Sequence, residues 1–378
     1  MPMDFQLGFT TIATESLQNY ATDAAIGGDI TMNSFVNLMD NSIAPNHDQW
    51  LVPNEQGSVT ERSISPADEE ILRAYGKMAD FCEHIESWRL YDSKTPLHYI
   101  VTRVKGFTID VATRNATPFL HRYLYRDHTP QCILSCFTAS VLYANRTQAN
   151  TAIVMRALHR NVRELVSAEI SRAVATPVEK LARTQALFLY QVIRLLDGDI
   201  ILRAQGERDI PLLQTWLGDL CKVRENLGDL TQLGASVVRR RPPGEWDRWI
   251  FAESVRRTIL IAYSFITLYE AMKDPEKDGL IPLPYVLPQA NRLADDQGPW
   301  AYAHRWTLSR HLWEADSSFE FASTWKEKPH FVITNYSFEH FLECGRGEDV
   351  DEFAQLLLSV YMGVDETSEF IFAKNVNR

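Results

Sequence analysis

Five Ser/Thr-Pro dipeptides constrain this chain more than any other feature of its sequence. They are Ser65-Pro66, Thr95-Pro96, Thr117-Pro118, Thr129-Pro130 and Thr176-Pro177. A Ser or Thr hydroxyl accepts from a free amide of a first helical turn, and Pro fits the first helical position because its missing N–H would be unpaired there anyway. Thr176-Pro177-Val178-Glu179 adds the Glu of a full capping box. Asp68 and Glu69 place negative charge at the positive end of the helix predicted after Pro66. Each dipeptide is followed by apolar residues spaced for a helix, so the five read as helix starts rather than bare turns.

The periodicity then predicts the helices one by one. From Pro66 to Leu90, Ile71, Leu72, Tyr75, Met78, Phe81, Cys82, Ile85 and Trp88 share a face. From Gln148 to Val166 the buried stripe is Ile153, Val154, Ala157, Leu158, Leu165 and Val166, opposite Arg156, Arg160 and Arg163. Further helices are read over Pro177–Leu196, Pro211–Leu227, Trp246–Met272, Trp300–Trp325 and Phe353–Met362. His330–Phe338 reads as a short strand or as an irregular segment. Strands do not alternate with helices, which argues against a Rossmann or barrel fold. The expectation is an all-α fold of stacked or bundled antiparallel helices, with at most a short strand pair near the C-terminus. Residues 1–63 are weakly patterned and read as a partly ordered lead-in; residues 64–378 read as one helical domain.

Charge narrows the partners. With Lys plus Arg at 38 and Asp plus Glu at 49, the formal net charge is −11, opposite to the balance of a basic nucleic-acid binder. Arg239-Arg240-Arg241 is the basic run; it reads as a solvated loop, or as part of an import or phosphate-binding signal. Direct nucleic-acid binding is therefore not expected. Five cysteines suit a reducing compartment better than a disulfide scaffold. The longest apolar stretch, Thr258–Tyr269, falls well short of the ~20 residues a membrane span needs. No membrane association is expected, and the nucleus or the cytoplasm is the expected location.

Motifs with chemistry are sparse. Cys132 and Cys136 stand four apart on one helical face among apolar neighbours and read as structural, with no second ligand pair to hold a metal. Asp197-Gly198-Asp199 reads as a helix stop, or as a carboxylate pair for a divalent ion. His311 and Glu314 lie one turn apart, as a proton-handling pair or a surface ion pair. No metal site and no cofactor are expected. Trp246, Trp249 and Glu253, followed by Arg256 and Arg257, form a polar-aromatic cluster. Glu253 can pair with Arg257 at i,i+4. Two readings stand: one wall of an aromatic ligand pocket, with Trp313 as a further wall, or a core edge held by an ion pair.

The run Trp246-x2-Trp249-x3-Glu253-Ser254-x-Arg256-Arg257-Thr258 resembles a segment of the regulatory domain of fungal binuclear zinc-cluster transcription factors. Asp48-Gln49-Trp50-Leu51-Val52, Ser65-Pro66-Ala67-Asp68-Glu69-Glu70, Pro118-Phe119-Leu120-His121-Arg122-Tyr123 and Leu312-Trp313-Glu314-Ala315 are similar to segments of that family as well. The first cysteine of this sequence is Cys82, and the six-cysteine array of the family's DNA-binding domain is not in it. No zinc ligand or DNA-contacting residue is carried over. The resemblance implies an all-helical regulatory domain, nuclear association and control of secondary-metabolite genes. It would act through a DNA-bound regulator, or as a homodimer or heterodimer partner, and would sense a small-molecule ligand. The alternative is a metal-free enzyme of secondary-metabolite biosynthesis that reuses the regulator fold for a cyclisation or rearrangement. Its candidate catalytic groups are Glu253, Arg257, His311 and Glu314. A third expectation is a shortened gene model whose full product begins upstream with the zinc cluster.

Overall fold

A computed structural model describes residues 81, 85–171, 175–225, 246–273, 305–334 and 336–373. Helices dominate them, as α1 (Pro96–Arg114), α2 (Gln131–Ala144), α3 (Thr151–Ser171), α4 (Pro177–Leu196), α5 (Ile200–Glu225) and α6 (Trp246–Lys273). The C-terminal part holds β1 (Arg305–Leu308), α7 (Arg310–Trp313), α8 (Ser318–Glu327), β2 (Phe331–Thr334), α9 (Glu339–Cys344), α10 (Glu352–Tyr361) and α11 (Val364–Phe372). The two strands pair antiparallel, with Trp306 opposite Ile333 and Thr307 opposite Val332. The fold is all-α, with one short strand pair near the C-terminus of the described residues.

Helix starts follow the dipeptides where a hydroxyl can reach the turn. Thr95 Oγ1 accepts from the His98 amide at 3.2 Å and opens α1, which closes on Asn115 at φ 49°. Asn tolerates that left-handed conformation better than most residues. Thr176 and Glu179 form the predicted capping box at α4: Thr176 Oγ1 accepts from the Glu179 amide and the Glu179 carboxylate from the Thr176 amide. Thr176→Ala is expected to cost about 1 kcal/mol and to lower the melting temperature by roughly 2–4 °C, read by thermal circular dichroism. Pro130, preceded by Thr129, begins α2 without a side-chain cap, because Thr129 Oγ1 turns back to the Tyr125 carbonyl. Thr117-Pro118 departs from expectation and starts no helix. Thr117 Oγ1 accepts from Leu120 N at 3.0 Å and closes a tight turn. The helix expected over Pro66–Leu90 and the segment around Arg239-Arg240-Arg241 lie mostly outside the described residues.

The core is built on α4 and α6. Nearly every residue from Leu181 to Leu195 is buried, which requires the polar ones to be satisfied. Gln185 Nε2 donates to Phe119 O (3.2 Å) and Thr258 Oγ1 (3.0 Å), and its Oε1 accepts from Tyr125 O–H (2.7 Å). Gln191 donates to Gly206 O at 2.9 Å, and Arg194 pairs with Asp209 at 2.7 Å. Gly206 marks where α5 approaches α4, since a Cβ there would lie 2.7 Å from a Leu195 methyl. Asp197-Gly198-Asp199 joins these two helices. Asp197 ends α4 and binds Tyr143 and Arg146, Gly198 takes φ 99°, and Asp199 Oδ1 accepts from Leu202 N at 2.9 Å. The helix-stop reading holds, and both carboxylates are engaged, Asp197 by side chains and Asp199 by the first turn of α5. α6 packs on α4, α5, α8 and β1 and is buried along most of its length.

Two boundaries and one buried face differ from the sequence reading. α5 begins eleven residues before Pro211, which sits inside the helix. The early part was masked by Ile200 and Ile201, an apolar pair that points outward. Trp300–Trp325 is not one helix: β1, α7 and α8 share the segment beyond residue 304. In α3, Val154, Leu158 and Val162 face the core, whereas Ile153 is 67% exposed.

Candidate functional site

Glu253, Ser254, Arg256 and Arg257 occupy the buried middle of α6. Arg257 is wholly enclosed. Its Nε donates to Glu253 Oε1 (3.0 Å), its Nη1 to Pro118 O (3.2 Å), and its Nη2 to Thr307 O (2.9 Å) and Asp351 Oδ2 (2.7 Å). Four of its five N–H groups are thus held by four separate parts of the chain. The Trp313 ring lies over the guanidinium at 3.9 Å from its centroid, with Phe353 at 5.0 Å.

Glu253 is equally engaged. Oε1 also accepts from Thr307 N at 2.9 Å, and Oε2 accepts from Arg256 Nε at 3.0 Å. Burial alone would push its pKa up, but Arg256, Arg257 and the Thr307 amide together hold it below the usual carboxylate value. Asp351 caps α10 through Ala354 N at 2.8 Å while binding Arg257, and burial raises its pKa against that pairing. Two arginines against two carboxylates leave the cluster neutral, the condition for burying charge at all. Sequence spacing anticipated the Glu253–Arg257 pair. It missed Asp351, 94 positions away, whose only signal was an Asp before an apolar run, ordinary for a helix cap.

The other candidates separate from this cluster. His311 and Glu314 do not pair: Glu314 binds Arg310 at 3.0 Å, and His311 Nε2 lies 3.9 Å from buried Asp349 Oδ1. Trp246 and Trp249 are 6% and 3% exposed and pack with Ile250, Leu312, Ala315, Phe321 and Trp325 in a closed apolar cluster. Trp249 sits 4.9 Å from the Phe321 ring. Trp313 is different, because it forms a wall of an open cleft of about 320 Å³ lined also by Thr117, Pro118, His121, Arg122, Asp351 and Phe353. His121 fixes one side of that cleft. Nε2 bonds Trp313 O at 2.9 Å, and Nδ1 accepts from Tyr123 N at 3.2 Å. Burial lowers its pKa to about 4, so it is neutral near pH 7. The arginines at the rim are occupied, Arg122 by Asp316 (2.7 Å) and Arg114 by Glu352 (3.2 Å).

Cys136 is buried, and its pKa is pushed up to about 12 by burial. No group of three metal-ligating side chains comes together among the described residues, and none of their helices is long and apolar enough to cross a membrane.

The chain is similar to the transcription factor gsfR2 of Penicillium aethiopicum, at 27% identity over 263 residues. The match covers 68% of this chain and 57% of that protein, so the chain spans less than two thirds of its relative's length. No family model matches the chain, and no solved structure matches it.

Proposed function

We propose that this chain is the regulatory module of a transcription-regulator-like protein. Its similarity over 263 residues to a fungal transcription factor carries the reading. The site geometry supports it. Glu253 and Arg257, two of the four catalytic candidates, spend their hydrogen bonds on tying α6 to β1, α10 and the 117–120 turn. Such a hub transmits position rather than protons. The cleft beside it, at about 320 Å³, falls at the small end of the range for small-molecule sites. Asp351 and Trp313 belong to both cleft and hub, so a ligand touching either would bear on the junction of α6, β1 and α10. In this reading the protein works in the nucleus, through a partner that holds DNA, on secondary-metabolite genes.

The test is gene deletion with transcript and metabolite profiling together. The expected outcome is loss of a co-regulated set of transcripts, restored by the intact gene. Unchanged transcripts with an accumulated precursor would overturn the proposal and turn attention to biosynthetic catalysis.

A further inference from the structure

The exposed face of α3 carries Arg156, His159, Arg160 and Arg163, a basic stripe on a chain of net charge −11. α11 presents the opposite: Asp365, Glu366 and Glu369 are exposed along it. Among the described residues these acids make no ion pair, nor do Arg156, His159 and Arg163, and Arg160 reaches only Glu164 at 3.6 Å. Each helix also exposes one large apolar side chain, Ile153 at 67% on α3 and Phe372 at 80% on α11.

The order of these groups matters. On α3 the sequence Ile153, Arg156, Arg160 runs at intervals of three and then four. On α11, read backwards, Phe372, Glu369, Asp365 runs at the same intervals. Such spacing keeps each set on one helical face. Both sets extend about 10 Å along their axes. Laid antiparallel, Ile153 meets Phe372, Arg156 meets Glu369 and Arg160 meets Asp365.

We propose that α3 of one copy of this chain docks antiparallel on α11 of a second copy. The contact is heterologous, joining two different surfaces, so it either closes into a small assembly or repeats along a chain. Copies of a chain of net charge −11 repel one another on average, so a contact that sets basic against acidic stripes is favoured over one that does not. The inference goes beyond the regulatory reading and does not depend on it.

Sedimentation velocity on the full chain tests it, across a wide range of protein concentration in low and in high salt. The expected result is reversible self-association that weakens with salt. R156E/R160E and D365R/E369R, each alone, are expected to weaken association at least about tenfold. Mixed together, the two variants should associate again, because each then offers the charge the other lacks. Unchanged melting temperatures show that both remain folded. A chain that stays monomeric throughout would overturn the proposal. So would loss of association with the stripe variant alone, or a mixture that fails to recover. Salt-sensitive binding of duplex DNA that only R156E/R160E abolishes would assign the stripe to phosphate instead.

Discussion

Arg257→Met is expected to melt about 10 °C below the parent chain, on a loss of about 3–5 kcal/mol. Met keeps much of the side-chain length, so the loss is not chiefly one of volume. What goes is the one cation that faces Glu253, Asp351 and two backbone carbonyls together. Arg256 still reaches Glu253, but Asp351 is left buried beside no partner charge. Arg257→Lys should recover only part of the loss, since a single ammonium cannot reproduce a fork that reaches four acceptors.

The pH dependence separates electrostatics from packing. In the parent chain the Glu253 pKa lies below its ordinary 4.5, so the stability it contributes is present above pH 4.5 and fades as the pH falls toward its folded value. Asp351 has the opposite sign. Its pKa is raised by burial, so its charge costs stability above its ordinary 3.8, and protonation relieves that cost. In Arg257→Met both carboxylates lose a facing cation, so their pKa values rise and acid relieves more strain than it does in the parent. The gap in melting temperature should therefore be widest near neutral pH and narrow toward pH 5. A gap that stays constant across this window would mean that packing, not charge, accounts for the loss.

This hub shows how far local pattern reaches. Glu253 and Arg257 were legible as a pair because four residues of helix bring them together, and α4 was legible to both ends because its Thr-Pro start and Asp-Gly stop are local chemistry. Neither Asp351 nor Thr307 was legible as a partner, because the contacts span 94 and 50 positions. Thr117-Pro118 carries the same letters as Thr95-Pro96 yet makes a turn. The difference lies in the surroundings: Phe119 O accepts from Gln185, and Pro118 O from Arg257. Tertiary bonds claim the carbonyls that a helix would have used.

Trp249 marks the same divide at the level of the site. An aromatic residue near charged ones in sequence reads equally as a pocket wall or as core, and only packing decides. Trp249→Ala should lower stability by about 3–5 kcal/mol, because the ring lies inside a cluster that cannot close over the void. Trp249→Phe should cost far less, under about 2 kcal/mol. The smaller ring leaves a modest void but removes an indole N–H that meets no protein acceptor in its buried setting. Denaturant titration of both variants supplies the comparison. Were Trp249 a ligand wall, the alanine variant would lose little stability, because its ring would already face space. A loss below about 1 kcal/mol for Trp249→Ala would therefore reopen the pocket reading and move the search for a ligand from the cleft beside Trp313 to the cluster around Trp249.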